Sequence, residues 1–219
     1  MLCGYNEGSM TTNKTPLQNA AAHLSQHDLV LAPIISRAGL ATLSPHSNYY
    51  WELVDSIISQ QLSVKAARTI EGRFQALFDE EFPEPAAILL KSIEELRSVG
   101  LSNAKAHYIR DLAQHIVDGR VRFDQLDAQS NETIITELTA VKGIGEWTAH
   151  MFLIFCMARL DVLAPGDLGI RSGMRILYNL SELPTPQEVR DIAGSNNWHP
   201  YESVACWYVW HSLNTAPAV

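Results

Sequence analysis

The stretch Leu138–Gly173, LTAVKGIGEWTAHMFLIFCMARLDVLAPGDLGIRSG, joins two helical patterns through a pair of glycines. Ile134, Ile135, Leu138 and Val141 form the apolar side of the first pattern. It breaks at Gly143-Ile144-Gly145 and resumes as a helix from Glu146 to about Ala158. Two glycines in three residues permit a tight backbone hairpin. Backbone N–H groups at the start of the following helix form an anion site, which suits a nucleic-acid phosphate without any side-chain charge. Further on, the apolar loop Val162-Leu163-Ala164-Pro165 leads to Gly166-Asp167 at the start of another helix. A phosphate-gripping hairpin followed by a lone acid in an apolar loop points to chemistry on DNA.

Composition sets the bounds. A chain of 219 residues, 47% hydrophobic and 18% charged, buries a real core and is not disordered. No apolar run reaches the roughly 18–20 residues of a membrane span, so no membrane partner is expected. Residues 1–15 have neither a basic nor an apolar leader region and are expected to be a short disordered tail. Cys3, Cys156 and Cys206 are too few and too scattered for a disulfide framework or a metal cluster, and Cys156, between Phe155 and Met157, reads as a buried structural thiol. The eight histidines (His23, His27, His46, His107, His115, His150, His199 and His211) show no metal-ligand spacing with cysteine or carboxylate. The expected location is the cytoplasm, beside the nucleoid in a bacterium, or the nucleus in a eukaryote.

The net charge of −8 opposes nucleic-acid binding unless the cations are grouped. They are: Lys65, Arg68 and Arg73 face only Glu71, residues 96–110 hold Arg97, Lys105 and Arg110 without an acid, and Lys142, Arg171 and Arg175 flank the hairpin and the Asp167 helix. Acids gather instead at Asp79-Glu80-Glu81, at Glu84 and between Asp124 and Glu137. A small basic face on an acidic body is expected.

Helix punctuation is dense and strand alternation nearly absent, so the fold class is all-α. Ser92–Glu95 and Thr185–Glu188 read as capping boxes, Pro186 as a first helical residue, and Gly100, Gly119 and Gly194 as C-terminal caps. The patterns predict helices over 16–25, 28–37, 48–61, 64–78, 85–90, 93–99, 103–118, 131–140, 146–158, 168–179, 186–193 and 200–213.

The 138–173 segment resembles the helix-hairpin-helix and Gly/Pro-Asp signature of the helix-hairpin-helix DNA glycosylase superfamily, most closely the 3-methyladenine DNA glycosylase II family. Ile57-Ile58-Ser59-Gln60-Gln61-Leu62-Ser63-Val64-Lys65-Ala66-Ala67 and Trp198-His199-Pro200-Tyr201 through Trp207-Tyr208-Val209-Trp210 agree with it, so the resemblance runs from about Asp28 to Leu213. It implies a two-lobed helical fold with the active site in the cleft between lobes. Residues 16–49 plus 161–219 would form one lobe, and 50–160, ending in the helix-hairpin-helix of about 131–158, the other. It further implies a monomeric enzyme that flips damaged bases out of double-stranded DNA. Endonuclease III-like relatives hold an iron–sulfur cluster with four cysteines, which this chain lacks.

The resemblance assigns roles to particular residues. Asp167, 22 positions after Gly145, would stabilise the sugar cation that forms as the base leaves. Asp at a helix start also reads as an N-cap for Gly169 or Ile170, and the two roles are compatible. Bifunctional relatives place a Schiff-base lysine where this chain has Trp147, and no lysine follows Lys142. A monofunctional glycosylase for alkylated purines is therefore expected. Trp147, Met151 and Trp210 would form the base pocket, with aromatic faces attracting cationic rings. Trp147 and Trp210 read equally as core aromatics. Gln60, Gln61 and Leu62 would wedge into the gap left by the flipped nucleotide, or simply connect two helices with Ser63 as cap. Lys142, Gly143, Ile144 and Gly145 would contact DNA. Carbonyls of Thr139, Val141 and Ile144 would hold a monovalent ion, Na+ or K+, with no other cofactor. Glu202 replaces an arginine common in relatives. Excision of deaminated or mismatched bases, and a non-catalytic module binding abasic DNA, are the alternatives.

Overall fold

A computed structural model describes residues 14–78 and 82–215; the expected tail lies almost wholly outside these residues, as do Cys3 and Asp79-Glu80-Glu81. Every regular element among the described residues is helical: α1 (Pro16–His27), α2 (Ala32–Ala38), α3 (Tyr49–Ser59), α4 (Val64–Gln75), α5 (Pro85–Leu90), α6 (Ile93–Ser98), α7 (Asn103–Val117), α8 (Asn131–Thr139), α9 (Glu146–Met151), α10 (Leu168–Leu177), α11 (Pro186–Ser195) and α12 (Glu202–Thr215), with a 3₁₀ turn at Leu126–Ala128 and a π-helical turn at Phe152–Cys156. The fold is all-α. It divides into two compact units, one of residues 1–42 with 169–219 and one of residues 43–168.

Those divisions fall at 42/43 and 168/169 rather than near 49/50 and 160/161. The reason is local bonding. His46 donates its backbone N–H to the Cys156 carbonyl at 2.8 Å, which ties residues 43–48 to the second unit. The Trp147 indole does the same for the loop ending in Asp167.

In the first unit, α1 packs on α2 and α12, and α2 on α12. Its largely apolar core holds one buried carboxylate. Asp28, fully buried, accepts the N–H groups of Val30 and Leu31 on Oδ1 at 2.9 and 3.0 Å, which begins the chain reversal into α2. This is why α2 starts at Ala32 and not at residue 28. Its Oδ2 accepts the Trp198 indole N–H at 2.7 Å and the Tyr178 hydroxyl. Burial and the adjoining carboxylate both push the Tyr178 phenol far above its ordinary range. Removing either donor's partner here would leave a buried polar group without compensation.

Capping follows the sequence closely in four places and departs from it in one. Ser92–Glu95 and Thr185–Glu188 form capping boxes, and Thr15 and Gln18 form a third in which glutamine replaces glutamate. Gly100 (φ 110°) and Gly119 (φ 69°) take the left-handed turn that ends a helix. Gly194 does not; α11 runs through it to Ser195, and the left-handed residue is Asn197 (φ 48°), whose short polar side chain tolerates that region.

In the second unit, α3 packs on α4 and α7, α5 and α6 pack on α7, and α8 packs on α9 across the hairpin. Helix 146–158 is not one α-helix as expected. After Met151 the backbone widens, with the Met157 N–H bonding five residues back to Phe152 at 3.0 Å, and Ala158 turns to φ 53°. Such π turns are frequent at functional sites.

Gly173 on α10 and Gly194 on α11 offer a matched test of packing. A Cβ at Gly173 would lie 2.5 Å from Val209 Cγ1 and 3.2 Å from the Val209 carbonyl, whereas nothing lies within 4 Å of one at Gly194. Gly173→Ala should destabilise the protein by about 1–3 kcal/mol in urea unfolding. Gly194→Ala should leave it unchanged or stabilise it by about 0.5–1 kcal/mol. Equal effects of the two substitutions would contradict this packing.

Candidate active site

The hairpin of the second unit is held from below. Gly143 sits at φ 86°, and a Cβ there would overlap the Tyr108 ring of α7. Both facts require glycine. The Gly143 carbonyl accepts the Gln60 side-chain amide at 2.9 Å, the Lys142 N–H donates to Asp111 Oδ2 at 2.9 Å, and the Ile144 N–H closes the turn onto Val141 at 3.1 Å. Gly145 differs from Gly143: it is extended (φ −94°, ψ 172°), exposed, and a methyl group added to its Cα would meet nothing within 4 Å. Among the described residues, the N–H groups of Gly143 and Gly145 make no hydrogen bond with the protein.

This bracing revises two readings. Gln60 is a strut for the hairpin: its amide is bound to Gly143 and it is half-buried. Gln61 and Leu62 remain outward: Gln61 adopts φ 57°, the Leu62 N–H bonds back to Ser59 at 3.1 Å, and Leu62 is 38% exposed. The basic cluster of residues 96–110 also shrinks. Lys105 Nζ donates to the carbonyls of Ile58 and Gln60 at 2.8 and 2.6 Å, at the C-terminal end of α3, and burial lowers its pKa. Arg110 donates to the Lys91 carbonyl. Lys65, Arg68, Arg73, Arg97 and Lys142 are exposed.

Beside the hairpin lies a cavity of about 580 Å³, within the range of roughly 300–1,000 Å³ typical of small-ligand sites. One wall is a face of α3: Glu52, Asp55, Ser56 and Ser59, followed by Gln60 and Gln61. The other is a face of α9 and the π turn: Trp147, Thr148, Met151, Phe152, Phe155 and Cys156. Both walls repeat at helical spacing of three to four residues. Of the expected pocket residues, Trp147 and Met151 line the cavity. Trp210 lies half-buried on α12 of the first unit.

Trp147 is 54% exposed, and its indole N–H donates to Asp167 Oδ2 at 2.6 Å. Asp167 belongs to the same unit as the hairpin. Its own N–H bonds to the Ala164 carbonyl at 3.1 Å, which folds the apolar loop back on itself. The residue that replaces a lysine thus orients the one acid singled out in the loop.

The acids of the α3 wall did not stand out in the sequence. Burial first, and then repulsion from Glu71 and Glu52, raises the Asp55 pKa above the ordinary carboxylate value. The signal was present: in WELVDSIISQQ, Glu52, Asp55, Ser56 and Ser59 share one face of a helix whose other residues Trp51, Leu53, Val54, Ile57 and Ile58 are buried. Cys156 is not a fully buried structural thiol either. The π turn sets it half-buried on the cavity wall with Sγ 3.9 Å from Glu52 Oε2, and its pKa is pushed up to about 12 by burial and by Glu52.

Comparison with known proteins agrees with this geometry. The family of HhH-GPD superfamily base excision DNA repair proteins matches residues 54–196. A DNA-3-methyladenine glycosylase 1 of Schizosaccharomyces pombe is 36% identical over 76% of this chain and 73% of its own length. An alkylbase DNA glycosidase-like protein of the same yeast is 29% identical over 88% of this chain and 92% of its own. The crystal structure of a DNA-3-methyladenine glycosidase from Bacillus halodurans superposes with a TM-score of 0.83 at 38% identity, covering 92% of this chain and 91% of that one. A 3-methyladenine DNA glycosylase of Schizosaccharomyces pombe, solved in complex with abasic DNA, superposes at 0.76 with 32% identity, covering 92% and 99%. On this match, the chain belongs to the HhH-GPD superfamily of base excision DNA repair proteins, among the DNA-3-methyladenine glycosylases.

Proposed function

We propose that this protein is a monofunctional DNA glycosylase that removes alkylated purines, of the 3-methyladenine and 7-methylguanine type, from duplex DNA by hydrolysing the N-glycosidic bond. The Trp147–Asp167 hydrogen bond of 2.6 Å beside the cavity carries the reading. It holds a carboxylate in one orientation at the edge of a space large enough for a purine. As the base leaves, positive charge grows on the sugar. A carboxylate at about 4 Å contributes on the order of 4 kcal/mol at an effective dielectric near 20. The same carboxylate accepts a proton from the attacking water.

The cavity explains the preference for cationic bases. Aromatic faces from Trp147, Phe152 and Phe155 and the carboxylates of Glu52 and Asp55 all favour a positively charged ring. Such a ring also offsets the burial and the repulsion that together raise Asp55. Alkylation has already weakened the bond to be cut, so a modest site suffices. Trp147 carries no amine, so no Schiff base and no strand cleavage accompany excision.

DNA is held mainly by hairpin N–H groups, which suits a chain of net charge −8. Gln61 and Leu62 fill the gap left by the flipped nucleotide, and Lys142 with the exposed cations of α4 adds phosphate contacts. Carbonyls of Thr139, Val141 and Ile144 suit a Na+ or K+ ion, since the Val141 oxygen keeps a second lone pair beyond its bond to Ile144. When bound, that ion would add positive charge next to the phosphate.

Asp167→Asn should abolish release of methylated purine from alkylated duplex DNA, read by mass spectrometry of the freed bases, while DNA affinity stays within a few-fold. Wild-type excision by this variant would refute the catalytic assignment. Borohydride should trap no protein–DNA adduct on damaged duplex, and a stable adduct, or strand scission without added base, would show lyase chemistry. Gly145→Ala should fold normally and weaken binding to abasic-site DNA by about 10-fold, roughly 1.4 kcal/mol. Gly143→Ala should lower the melting temperature instead, through Tyr108 and its positive φ. Lys142→Ala should reduce the salt slope by only about one counterion. Unchanged affinity of a folded Gly145→Ala variant would place the DNA elsewhere.

A further inference from the structure

Three metal-ligating side chains from distant parts of the sequence meet at one end of the cavity. His46 Nδ1 lies 2.6 Å from Glu52 Oε1, and Cys156 Sγ lies 3.9 Å from Glu52 Oε2. All three ligand atoms fall within 4.8 Å of one another. Spacing along the chain does not show this, because the residues are up to 110 positions apart and only the fold brings them together.

We propose that His46, Glu52 and Cys156 form a binding site for a thiophilic divalent cation of the Zn2+ class, through which the metal controls access to the base cavity. Ligand chemistry supports that class: imidazole, carboxylate and thiolate together suit Zn2+ and disfavour Mg2+ or Ca2+, which take oxygen donors. The distances support it too. Zinc bonds of about 2.0–2.3 Å in a tetrahedral arrangement put neighbouring donors roughly 3.3–3.6 Å apart. Relative to that geometry the His46–Glu52 pair is somewhat close and the Cys156–Glu52 pair slightly wide, and all three ligand atoms lie within 4.8 Å of one another. Three protein ligands leave a fourth position, which faces the cavity because Glu52 and Cys156 both line it.

The frame around the site is built by the backbone. The His46 N–H bonds to the Cys156 carbonyl at 2.8 Å, so the imidazole-bearing loop and the thiol-bearing π turn are already joined. Tyr49, at the start of α3, packs edge-on against Phe152 with ring centroids 5.6 Å apart. Access is open, with side-chain exposures of 45% for His46 and 31% for Glu52.

Binding exchanges one proton for the metal. Zn2+ reverses the sign of the local field, the thiol gives its proton to solvent, and a Zn–S bond forms with no change in oxidation state. An ion at this position also occupies the space proposed for a cationic base. Inhibition by metal rests on the excision reading above, whereas metal binding does not.

The test is Zn2+ titration of the full chain in competition with a chromogenic chelator, together with Co2+ absorption, in which a thiolate ligand shows as a charge-transfer band. The expected result is one ion per chain and a thiolate band that survives Cys3→Ser. Losing an outer-shell partner of a metal costs about 10–100-fold, so loss of a direct ligand in His46→Gln or Cys156→Ser should cost roughly 100-fold or more. Circular dichroism confirms that each variant is folded; His46, being exposed, keeps the test decisive if Cys156→Ser does not fold. Zn2+ should inhibit base release from wild type reversibly on chelation, and His46→Gln should excise at the wild-type rate with inhibition lost. Binding by wild type no tighter than by His46→Gln, or a thiolate band that vanishes in Cys3→Ser, overturns the site. Metal binding with no inhibition retains the site and overturns its control of the cavity.

Discussion

At Gly143 the backbone passes through positive φ against the Tyr108 ring, and α9 takes its direction from that turn. A side chain at this position meets two separate penalties, one from the dihedral and one from the ring. With glycine there, α9 leaves the hairpin at a fixed angle and Trp147, in its first turn, reaches Asp167. The turn is secured at three further points, through Gln60, Asp111 and Val141, so its carbonyls and N–H groups are spoken for on the protein side and left outward where DNA would lie. A phosphate site made of backbone N–H groups depends on such rigidity, because its strength lies in donors that need no reorganisation.

Cations in this unit serve the interior as much as the surface. Lys105 caps α3, Arg110 holds the Lys91 carbonyl, and Arg159 reaches the carbonyls of Leu126 and Gln129 at 2.8 and 3.0 Å. Each donates to backbone oxygens at or near the ends of helical segments. The consequence is a thinner basic surface than the residue count implies. An acidic protein can then act on DNA by placing a few donors well in place of spreading many charges.

The cavity wall runs against ordinary packing economy. Burial first, and then repulsion from Glu71 and Glu52, raises the Asp55 pKa, so the wall keeps a carboxylate at a cost. A structure selected for stability alone would have placed apolar residues there. The arrangement makes sense if a cation, whether an alkylated ring or a metal ion, spends time in the cavity. The π turn contributes the same bias: by displacing Cys156 and Phe155 from a regular helical register it turns a thiol and a ring toward those acids.

Much of this was legible in the linear chain. Capping boxes at Ser92 and Thr185, the paired glycines, the apolar loop before Asp167 and the tryptophan in place of lysine are all local features, and local features depend on neighbours a few residues away. The helical class followed from them. What the chain alone did not reveal depended on contacts between distant segments. Which of the two glycines is indispensable was decided by Tyr108, 35 positions earlier. Gln60 became a strut because the Gly143 carbonyl lies within reach of its amide. The acids of α3 became a cavity wall, and His46 and Cys156 became neighbours, because a π turn and a loop-to-turn hydrogen bond closed the distance. Sequence by itself determined the helical class, most of the caps and the presence of an acid at 167 and a tryptophan at 147; tertiary structure alone decided which polar faces line the cavity, since helical spacing marks a face but packing between helices decides what that face meets.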